Sequence, residues 1–525
     1  MLESASLPIP FMQKAHLPSR SVLVRNLLAN WSGLVAEVLV AFFLTPFIIS
    51  HLGTAAYGVW SLANGVIGYL GLIDLGVRGS LGRFVNQYLA LDDDRGVNEI
   101  VSTSFVFLTG SAFIVILVGF VLGASFSTVF PKTPVELSAQ MLVVLPLLAV
   151  GLWVAFMGAI YRNILTAFDR FDLLNGIGLI GLVLRAALVV IMLGAGAGLL
   201  GLVAAVTISA AVVGVLTLVA ASRVYAALAV TWRNFRRARL REMWRFGLVA
   251  FATRGSSEIV YQSDQVILMA FLGPHAVAIY GVANMLVLYA QRVVEQLGAV
   301  FNPALMKSGS VADLASLRKA YLLYPRAAYY VGIPMYVGFV VFGGDFIGLW
   351  VGPQFNEAVI VLKILSIAEL ASLLTGLGGS LLFGLGRLRF NLYCSMSEAL
   401  VNVLITVMLV SLTGLGVIGA ALGTMVAAIV FRGVCHPLYT TRTIGLPFRR
   451  YLANNGWRML SAAGFAFVAF TAMRLLFRPD SWFGFVAAVA ASSAIFGVLG
   501  ALIMLGRAES LHMFRAMPLV RSKGK

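Results

Sequence analysis

Long apolar stretches alternate with short segments that carry charged residues, glycine and proline along nearly the whole chain. A helix that crosses the hydrocarbon core of a bilayer needs about 20 consecutive, mainly apolar residues, and these stretches have that length. The pattern predicts fourteen transmembrane helices, with approximate limits at residues 25–50, 57–78, 99–125, 137–161, 173–196, 198–222, 246–272, 275–306, 327–349, 358–386, 390–412, 414–436, 459–477 and 482–506.

The composition indicates the same class of protein. Apolar residues make up 60% of the chain and charged residues 11%, against about 45–50% and about 25% in soluble domains. These values exclude a soluble enzyme, a nucleic-acid-binding protein and a disordered scaffold. The predicted fold class is therefore an all-α polytopic membrane protein.

The distribution of charge predicts the orientation in the membrane. The chain has 38 Lys and Arg residues against 21 Asp and Glu residues, a net charge of +17. Nearly all the basic residues fall on one side of the predicted spans, and Arg432, at the end of the twelfth span, is counted with them. The positive-inside rule assigns this side to the cytoplasm, so both termini are expected there. The basic segment 226–245 contains two tryptophans, Trp232 and Trp244, and has the character of an amphipathic surface helix on anionic lipid.

Two pairs of short motifs recur at almost the same offset: Leu52-Gly53 with Leu272-Gly273, and Gly198-Leu-Leu-Gly201 with Gly416-Val-Ile-Gly419. The repetition predicts two parallel six-helix lobes around a central cavity, an arrangement typical of transporters. The expected organisation is a cytoplasmic tail (1–24), an N-lobe (25–222), a basic linker (223–245), a C-lobe (246–440), and two extra helices with a cytoplasmic C-terminal tail (441–525).

The segment Gly71-Leu-Ile-Asp74-Leu-Gly76-Val-Arg78, followed by Arg83-Phe84-Val85, resembles a signature of bacterial oligosaccharide flippases. These are polysaccharide transporters of the multidrug/oligosaccharidyl-lipid/polysaccharide exporter superfamily. Further segments of this resemblance are Ser263-Asp264-Gln265, Phe301-Asn302-Pro303-Ala304-Leu305 and Leu349-Trp350-Val351-Gly352-Pro353-Gln354-Phe355. Asn302 departs from the family pattern, in which an apolar residue is expected before that proline.

The resemblance implies a flippase of the bacterial inner membrane. Such a protein moves an undecaprenyl-pyrophosphate-linked oligosaccharide from the cytoplasmic to the periplasmic leaflet by alternating access, for O-antigen, exopolysaccharide or capsule synthesis. The implied partners are this lipid-linked substrate, membrane lipids, H⁺ or Na⁺, and a polymerase with other polysaccharide-assembly proteins. No nucleic acid, cofactor or bound metal is expected, and no catalytic residues are assigned.

Ionisable residues inside the predicted spans are the candidate functional residues, because each costs at least about 2.5–3.5 kcal/mol to insert. The basic candidates for binding pyrophosphate or sugar are Arg254, Arg292, Arg185, Lys363 and Arg78, the last at the end of the second span. The acidic candidates for ion coupling or for a polar cavity wall are Glu37, Glu258, Asp264, Glu295 and Glu398. Helical spacing places several of them on shared polar faces, which must line a cavity or another helix.

Each candidate also has a purely structural interpretation. Arg254 and Arg292 either hold a phosphate or are neutralised on their own helices by Glu258, four residues away, and Glu295, three residues away. Asp74 and Arg78 form either a structural pair or a gate. Lys363 either contacts substrate or snorkels to the interface. The acidic residues either carry H⁺ or Na⁺ or hydrogen-bond a neighbouring helix. Trp60, near a span end, is typical of the interfacial aromatic belt.

Three functions remain open at this point. The first is the lipid-linked oligosaccharide flippase, with the two extra helices flanking a groove for the polyprenyl tail. The second is a cation-coupled multidrug exporter of the same superfamily, which twelve spans and an acidic cavity would serve. The third is a membrane polysaccharide polymerase or ligase, which the short predicted extracytoplasmic loops disfavour.

Overall fold

A computed structural model of the protein describes residues 20–310 and 314–500, and every regular element in these ranges is helical. In chain order the α-helices are α1 (Arg20–Leu70), α2 (Val77–Leu89), α3 (Asp94–Ala124), α4 (Phe126–Val129), α5 (Val135–Ala167), α6 (Phe171–Gly194), α7 (Gly198–Val224), α8 (Arg237–Phe271), α9 (Pro274–Ser310), α10 (Leu314–Trp350), α11 (Asn356–Ser372), α12 (Gly378–Gly384), α13 (Leu388–Leu412), α14 (Val417–Ala427), α15 (His436–Thr443), α16 (Phe448–Tyr451), α17 (Trp457–Phe477) and α18 (Trp482–Ile495). Of the predicted tails, residues 1–19 and 501–525 lie outside the described residues.

Gly53 divides α1 into two arms. Its φ of 75° and ψ of 164° interrupt the helical geometry, and a residue with a Cβ rarely adopts this conformation. The first arm (20–52) and the second arm (54–70) correspond to the first two predicted spans. The predicted loop between these spans is therefore a bend at a single glycine.

Eleven helices within the described ranges are long and apolar enough to cross a membrane, and one of them, Gly33–Asp74, includes parts of both arms of α1. A helix lies at each of the fourteen predicted positions, but α8 and α11 are not among the eleven. Polar residues such as Arg254 and Glu258 lower the hydropathy of α8, and α11 has only 17 residues. The all-helical membrane class is confirmed, and the number of crossings stays a prediction.

The bent helix α1 packs against helices from both halves of the sequence. In the first half, α5 packs on both α3 and α7, and α6 packs on α7; in the second half, α8 packs on α13, and α9, α10 and α11 pack together. α1 contacts α5 and α6 of the first group and α8 and α9 of the second. α17 packs on α10 and α18, so the C-terminal helices cover one side of α10.

The basic segment before α8 runs along α3 without forming an α-helix, and it contains a hydrogen-bonded turn at Tyr225–Leu228 and a 3₁₀ turn at Trp232–Asn234. Asn98 of α3 donates to the carbonyl of Ala227 at 2.8 Å and accepts from the amide of Ala229 at 2.7 Å. The amide of Arg236 donates to the hydroxyl of Thr103 at 3.0 Å. The predicted surface helix is therefore wrong before Arg237, because side chains of α3 satisfy backbone groups that a helix would pair internally.

The two halves of the sequence touch at both ends of the helices. We call the end of the helices that carries residues 76–94 and 225–236 the basic end. Gly76 contacts Gly247 at this end. A Cβ built on Gly247 would lie 2.6 Å from the carbonyl oxygen of Gly76. At the opposite end, a Cβ built on Gly58 would lie 1.9 Å from the carbonyl oxygen of Pro274. Only glycine permits these close backbone contacts, which join the two halves at both ends.

A larger side chain at Gly247 is expected to loosen the contact at the basic end. Overpacking costs about 1–3 kcal/mol, so Gly247→Val should shift the protein toward a state that is open there. The measurement is maleimide labelling of Asn64→Cys, which lies between the two end contacts, in a background without Cys394 and Cys435. We expect about tenfold faster labelling from the basic side, equivalent to about 1.4 kcal/mol.

The matched control is Gly464→Val on α17, where an added Cβ meets no atom within 4 Å. This variant should leave the labelling rate unchanged. Equal labelling rates in the Gly247 and Gly464 variants would contradict the assignment of Gly76 and Gly247 as a closing contact.

Candidate functional site: a chamber between α1, α8 and α9

A polar chamber of about 260 Å³ lies between the second arm of α1 and the facing sides of α8 and α9. The second arm contributes residues between Tyr57 and Gly65, α8 contributes Gln262 and Gln265, and α9 contributes residues between Gly281 and Arg292. The chamber therefore joins helices from both halves of the sequence, as the predicted central cavity requires.

Small residues bring these helices together. A Cβ built on Gly281 would lie 2.8 Å from the hydroxyl of Ser61, and one built on Gly65 would lie 3.1 Å from the side-chain oxygen of Gln262. Ser61 in turn donates to the side-chain oxygen of Gln265 at 3.2 Å. Gly65 and Gly281 thus let polar side chains of the facing helices meet.

Arg292 of α9 pairs with Glu37 on the first arm of α1, with 2.8 Å between Nη1 and Oε1. The side chains of this pair are 52% and 41% exposed. Glu295, the partner that the helical spacing suggests, instead accepts a hydrogen bond from Gln291 at 3.1 Å. The interpretation that Arg292 is neutralised by Glu295 on its own helix is therefore wrong. An ion pair this exposed contributes about 0–1 kcal/mol and can exchange partners.

Glu37 also lines a second cavity, of about 850 Å³, between α1, α6 and α7. Arg185 of α6 and the polar side chains of Asn175 and Ser209 line the same cavity. Three predicted residues from separate spans, Arg185, Glu37 and Arg292, are thus brought together where the two cavities approach each other.

Arg254 lies away from this group. Its Nε is 3.9 Å from Oε1 of Glu258, one turn along α8, and its side chain is 57% exposed. Glu258 reaches toward the second arm of α1, where its other oxygen would lie 3.2 Å from a Cβ built on Gly68. The local pairing of Arg254 with Glu258 matches the structural interpretation of these residues.

Arg78 and Lys363 do not line the chamber either. Arg78 donates to the carboxylate of Asp74 and lies over the ring of Phe156, 4.5 Å from its centroid. Lys363 is partly buried on α11. Both residues remain candidates by sequence only, and Arg78 has the geometry of a structural pair at the basic end.

Asp264 is 1% exposed and accepts hydrogen bonds from three hydroxyl groups. The donors are Tyr280 of α9, Thr406 of α13 at 3.1 Å and Thr424 of α14 at 2.6 Å. The carboxyl group thus joins four helices, which is the helix-to-helix contact expected as the alternative to ion transport.

Arg432 was expected on the basic side of the membrane, and this placement is wrong. It lies in a π-helical segment, Ala428–Cys435, inside the candidate span Val417–Thr443. Its guanidinium donates to Glu369 at 2.7 Å and to Glu398 at 2.8 Å, and both carboxylates are 9% exposed. The sequence contained a signal for this arrangement, because Glu369 and Glu398 lie in apolar spans and buried carboxylates require a cationic partner.

An apolar groove of about 430 Å³ lies between α10, α17 and α18. Phenylalanines from all three helices line it, among them Phe342, Phe470 and Phe485. Arg474 of α17 donates two hydrogen bonds to Asp345 of α10, at 2.6 and 3.0 Å, and so fixes one wall of the groove.

The two arginine clusters should respond differently to the same substitution. Arg432→Gln leaves two carboxylates in a buried site and should lower the free energy of unfolding by about 3–5 kcal/mol. Arg292→Gln removes a half-exposed pair and should lower it by about 1 kcal/mol or less. The measurement is unfolding of the purified protein in detergent, followed by intrinsic fluorescence. Equal losses of stability in the two variants would contradict the distinction between a fixed and an exchangeable pair.

Comparisons with known proteins bear on this geometry. The family model described as polysaccharide biosynthesis protein matches residues 52–360. The uncharacterized membrane protein EpsK of Bacillus subtilis (strain 168) is 21% identical over 499 residues, which cover 92% of this chain and 96% of that protein.

Two solved structures are similar in fold. One is an inward-facing conformation of a multidrug resistance MATE family transporter of the MOP superfamily, with a TM-score of 0.67 and 16% identity, covering 79% of this chain and 96% of that chain. The other is the lipid II flippase MurJ in an inward closed conformation, with a TM-score of 0.63 and 13% identity, covering 91% of this chain and 99% of that chain.

The motifs that carry the resemblance, from Gly71 to Phe355, all fall within the matched residues, although the side chains of Phe301–Leu305 lie outside the described part. Because the match extends over more than half of the chain, the protein belongs to the polysaccharide biosynthesis protein family.

Proposed function

We propose that the protein is a flippase for an undecaprenyl-pyrophosphate-linked oligosaccharide, which it moves from the cytoplasmic to the periplasmic leaflet of a bacterial inner membrane. The product serves synthesis of O-antigen, exopolysaccharide or capsule. The observation that carries the proposal is the half-exposed pair of Arg292 and Glu37, which lies between two cavities and joins α1 to α9.

The pair supplies a binding site for the pyrophosphate. A pyrophosphate carries about two negative charges, and the planar guanidinium of Arg binds phosphate oxygens in a bidentate manner. The phosphate replaces Glu37 as the partner of Arg292 at low cost, because the existing pair is half exposed. Arg185, which lines the adjoining cavity together with Glu37, offers a second cation there.

The groove between α10, α17 and α18 accommodates the polyprenyl tail. Its walls are aromatic and aliphatic, so it offers isoprenoid units an apolar surface while the polar head crosses the chamber. A lipid-linked substrate needs such a side surface, whereas a small water-soluble substrate does not. This gives the two C-terminal helices, which have no counterpart in the repeat, a function.

The proposed topology has fourteen crossings with both termini in the cytoplasm. Two six-helix lobes, 25–222 and 246–440, surround the chamber, 223–245 connects them, and 441–525 contains the two extra helices. Alternating access then requires that the contacts at Gly58 and at Gly76 open in turn. The described conformation, in which both contacts are made, corresponds to a closed state.

Ion coupling is proposed at Glu37. When a phosphate takes Arg292, the Glu37 carboxylate loses its counterion within the membrane and binds H⁺ or Na⁺ instead. Asp264 and Glu398 already have hydrogen-bond or ion-pair partners in the described conformation. Release of the ion on the opposite side would restore the pair of Arg292 and Glu37 and reset the transporter.

A second candidate function is a cation-coupled multidrug exporter. The fold is similar to that of a MATE transporter, and the cluster of Glu369, Glu398 and Arg432 has one more carboxylate than guanidinium. Such an exporter would lower the sensitivity of its host to cationic drugs, whereas its loss would not cause accumulation of a lipid-linked sugar.

The proposed function predicts the effect of Arg292→Gln in a host that assembles the polysaccharide. A charge-assisted hydrogen bond contributes about 1.5–3 kcal/mol, so apparent affinity for the substrate should fall by about 10- to 150-fold. Export should fall while the protein remains in the membrane, and lipid extraction should recover the complete lipid-linked unit, still on the cytoplasmic face.

The control is Arg233→Gln in the exposed basic segment, which should leave export unchanged. Accumulation of short units on the periplasmic face would instead indicate a polymerase. Unchanged export in the Arg292 variant would remove Arg292 from the site and with it the observation on which the proposal rests.

A further inference from the structure

We infer that the chamber between α1, α8 and α9 contains a subsite for an uncharged sugar ring, beside the phosphate position at Arg292. The subsite consists of the amide groups of Asn64, Gln262, Gln265 and Asn284 and the aromatic faces of Trp60 and Tyr289, all of which line the chamber. The inference rests on the proposed function and adds to it the chemical class of the sugar.

The amides in this chamber retain unused hydrogen-bonding capacity. Within the described residues, the side chains of Gln262 and Asn284 have no hydrogen-bond partner, although both are partly buried in the chamber wall. Gln265 uses its oxygen to accept from Ser61 at 3.2 Å, and Asn64 uses its nitrogen to donate to the carbonyl of Trp60 at 2.8 Å. Donors and acceptors therefore both remain available.

Amide groups of this kind match the hydroxyl groups of a sugar. Each amide presents one acceptor and two donors in a plane, and a pair of adjacent sugar hydroxyls presents the complementary set. Unpaired amides at membrane depth are costly unless a ligand or water satisfies them. A cluster of four, contributed by three helices, thus has the chemistry of a carbohydrate site.

The aromatic side chains supply the second element of such a site. Trp60 lies on the second arm of α1 and Tyr289 lies on α9, and both side chains line the chamber. An aromatic ring offers a flat apolar face, against which the C–H face of a pyranose packs while its hydroxyls reach polar groups. Trp60 therefore contributes to the chamber wall as well as lying near a predicted span end.

The charge of the lining favours an uncharged ring. Arg292 is the one formally charged side chain among the described residues that line the chamber, and the proposed function assigns it to the phosphate. The carboxylate of a sugar acid would have no cation of its own there, and an unpaired buried carboxylate is strongly disfavoured. Glu258, one turn from Gln262 on α8, adds a further negative charge nearby.

The size of the chamber limits what it holds at one time. Its volume of about 260 Å³ lies just below the range of about 300–1,000 Å³ found for pockets that bind drug-sized ligands. In the closed state the chamber is therefore suited to a single ring and not to an entire oligosaccharide.

The test measures binding to the purified full-length protein in lipid nanodiscs. Three probes are compared: a short-chain isoprenyl pyrophosphate, the same molecule carrying one N-acetylhexosamine, and the same molecule carrying one hexuronic acid. We expect the N-acetylhexosamine to tighten binding relative to the sugar-free probe and the hexuronic acid not to do so. Asn284→Leu should weaken binding of the neutral-sugar probe by about three- to tenfold and leave the Kd of the sugar-free probe unchanged.

A charge change in the same subsite keeps the test independent of lost stability. Gln262→Lys introduces the missing cation and should improve binding of the hexuronic acid probe about tenfold relative to the sugar-free probe, for which the added charge acts on the pyrophosphate alone. Asn284→Ser serves as a second variant should the leucine substitution prevent folding. The matched control is Asn86→Leu on α2, which is exposed and remote from the chamber.

The outcomes separate this inference from the proposed function. Equal weakening of all three probes by Asn284→Leu, no effect on any of them, or wild-type binding of the hexuronic acid probe as tightly as the neutral one would overturn the subsite and leave the flippase intact. Failure of the wild-type protein to bind even the sugar-free probe would overturn the pyrophosphate site, and the sugar subsite with it.

Discussion

A charged side chain at membrane depth must find a partner or water, and Arg292 finds its partner, Glu37, in the other half of the sequence. The two residues come from α9 and from the first arm of α1, which belong to different halves of the sequence. Their pairing requires that α1 lie between the two groups of helices, so that one side of α1 faces the chamber and another faces the cavity with Arg185.

A second arginine, Arg432, also forms ion pairs with carboxylates, but its pairs are buried. Glu369 and Glu398 are almost fully buried, and removal of the arginine would leave them without compensation. Arg292 and Glu37 are about half exposed, so water or a ligand can replace either partner. Burial, not the type of residue, distinguishes a pair that holds helices together from one that exchanges partners.

Much of the architecture could be predicted from the sequence because a transmembrane helix has a one-dimensional signature of length and apolarity. Helices were found at every predicted position, and the first of the recurring glycines, Gly53, proved to be the bend between the two arms of α1. The partners of the charged residues were less predictable. Spacing along one helix identifies Glu295 as a neighbour of Arg292, but Glu37 is 255 residues away in sequence, and only folding brings it to Arg292.

The other errors have the same origin. Charge counting assigned Arg432 to the basic side of the membrane, because the two carboxylates that justify its burial lie on other helices. Composition favoured a surface helix before α8, because Asn98 and Thr103, which hold this segment along α3, are distant in the sequence. Local patterns predict the elements of this fold, whereas a site formed between elements depends on contacts that no local pattern records.

The first arm of α1 also connects the two surfaces that a lipid-linked substrate would occupy. Five residues after Glu37, Phe42 stacks on Trp350 of α10 at 5.9 Å between ring centroids and meets Trp482 of α18 edge-on at 5.5 Å. Trp350 donates its indole N–H to the carbonyl of Phe42 at 2.7 Å. Phe346 and Phe485, which line the apolar groove, belong to the same aromatic cluster.

The first arm of α1 therefore carries Glu37, the partner of Arg292, and five residues later contacts the aromatic side chains at the end of the groove. A displacement of this arm that separates Glu37 from Arg292 must also move the aromatic residues at the groove, because a helix transmits the movement of one turn to the next. The head and the tail of a lipid substrate would thus act on the same element, and this is how a transporter built from two separate surfaces can move one molecule.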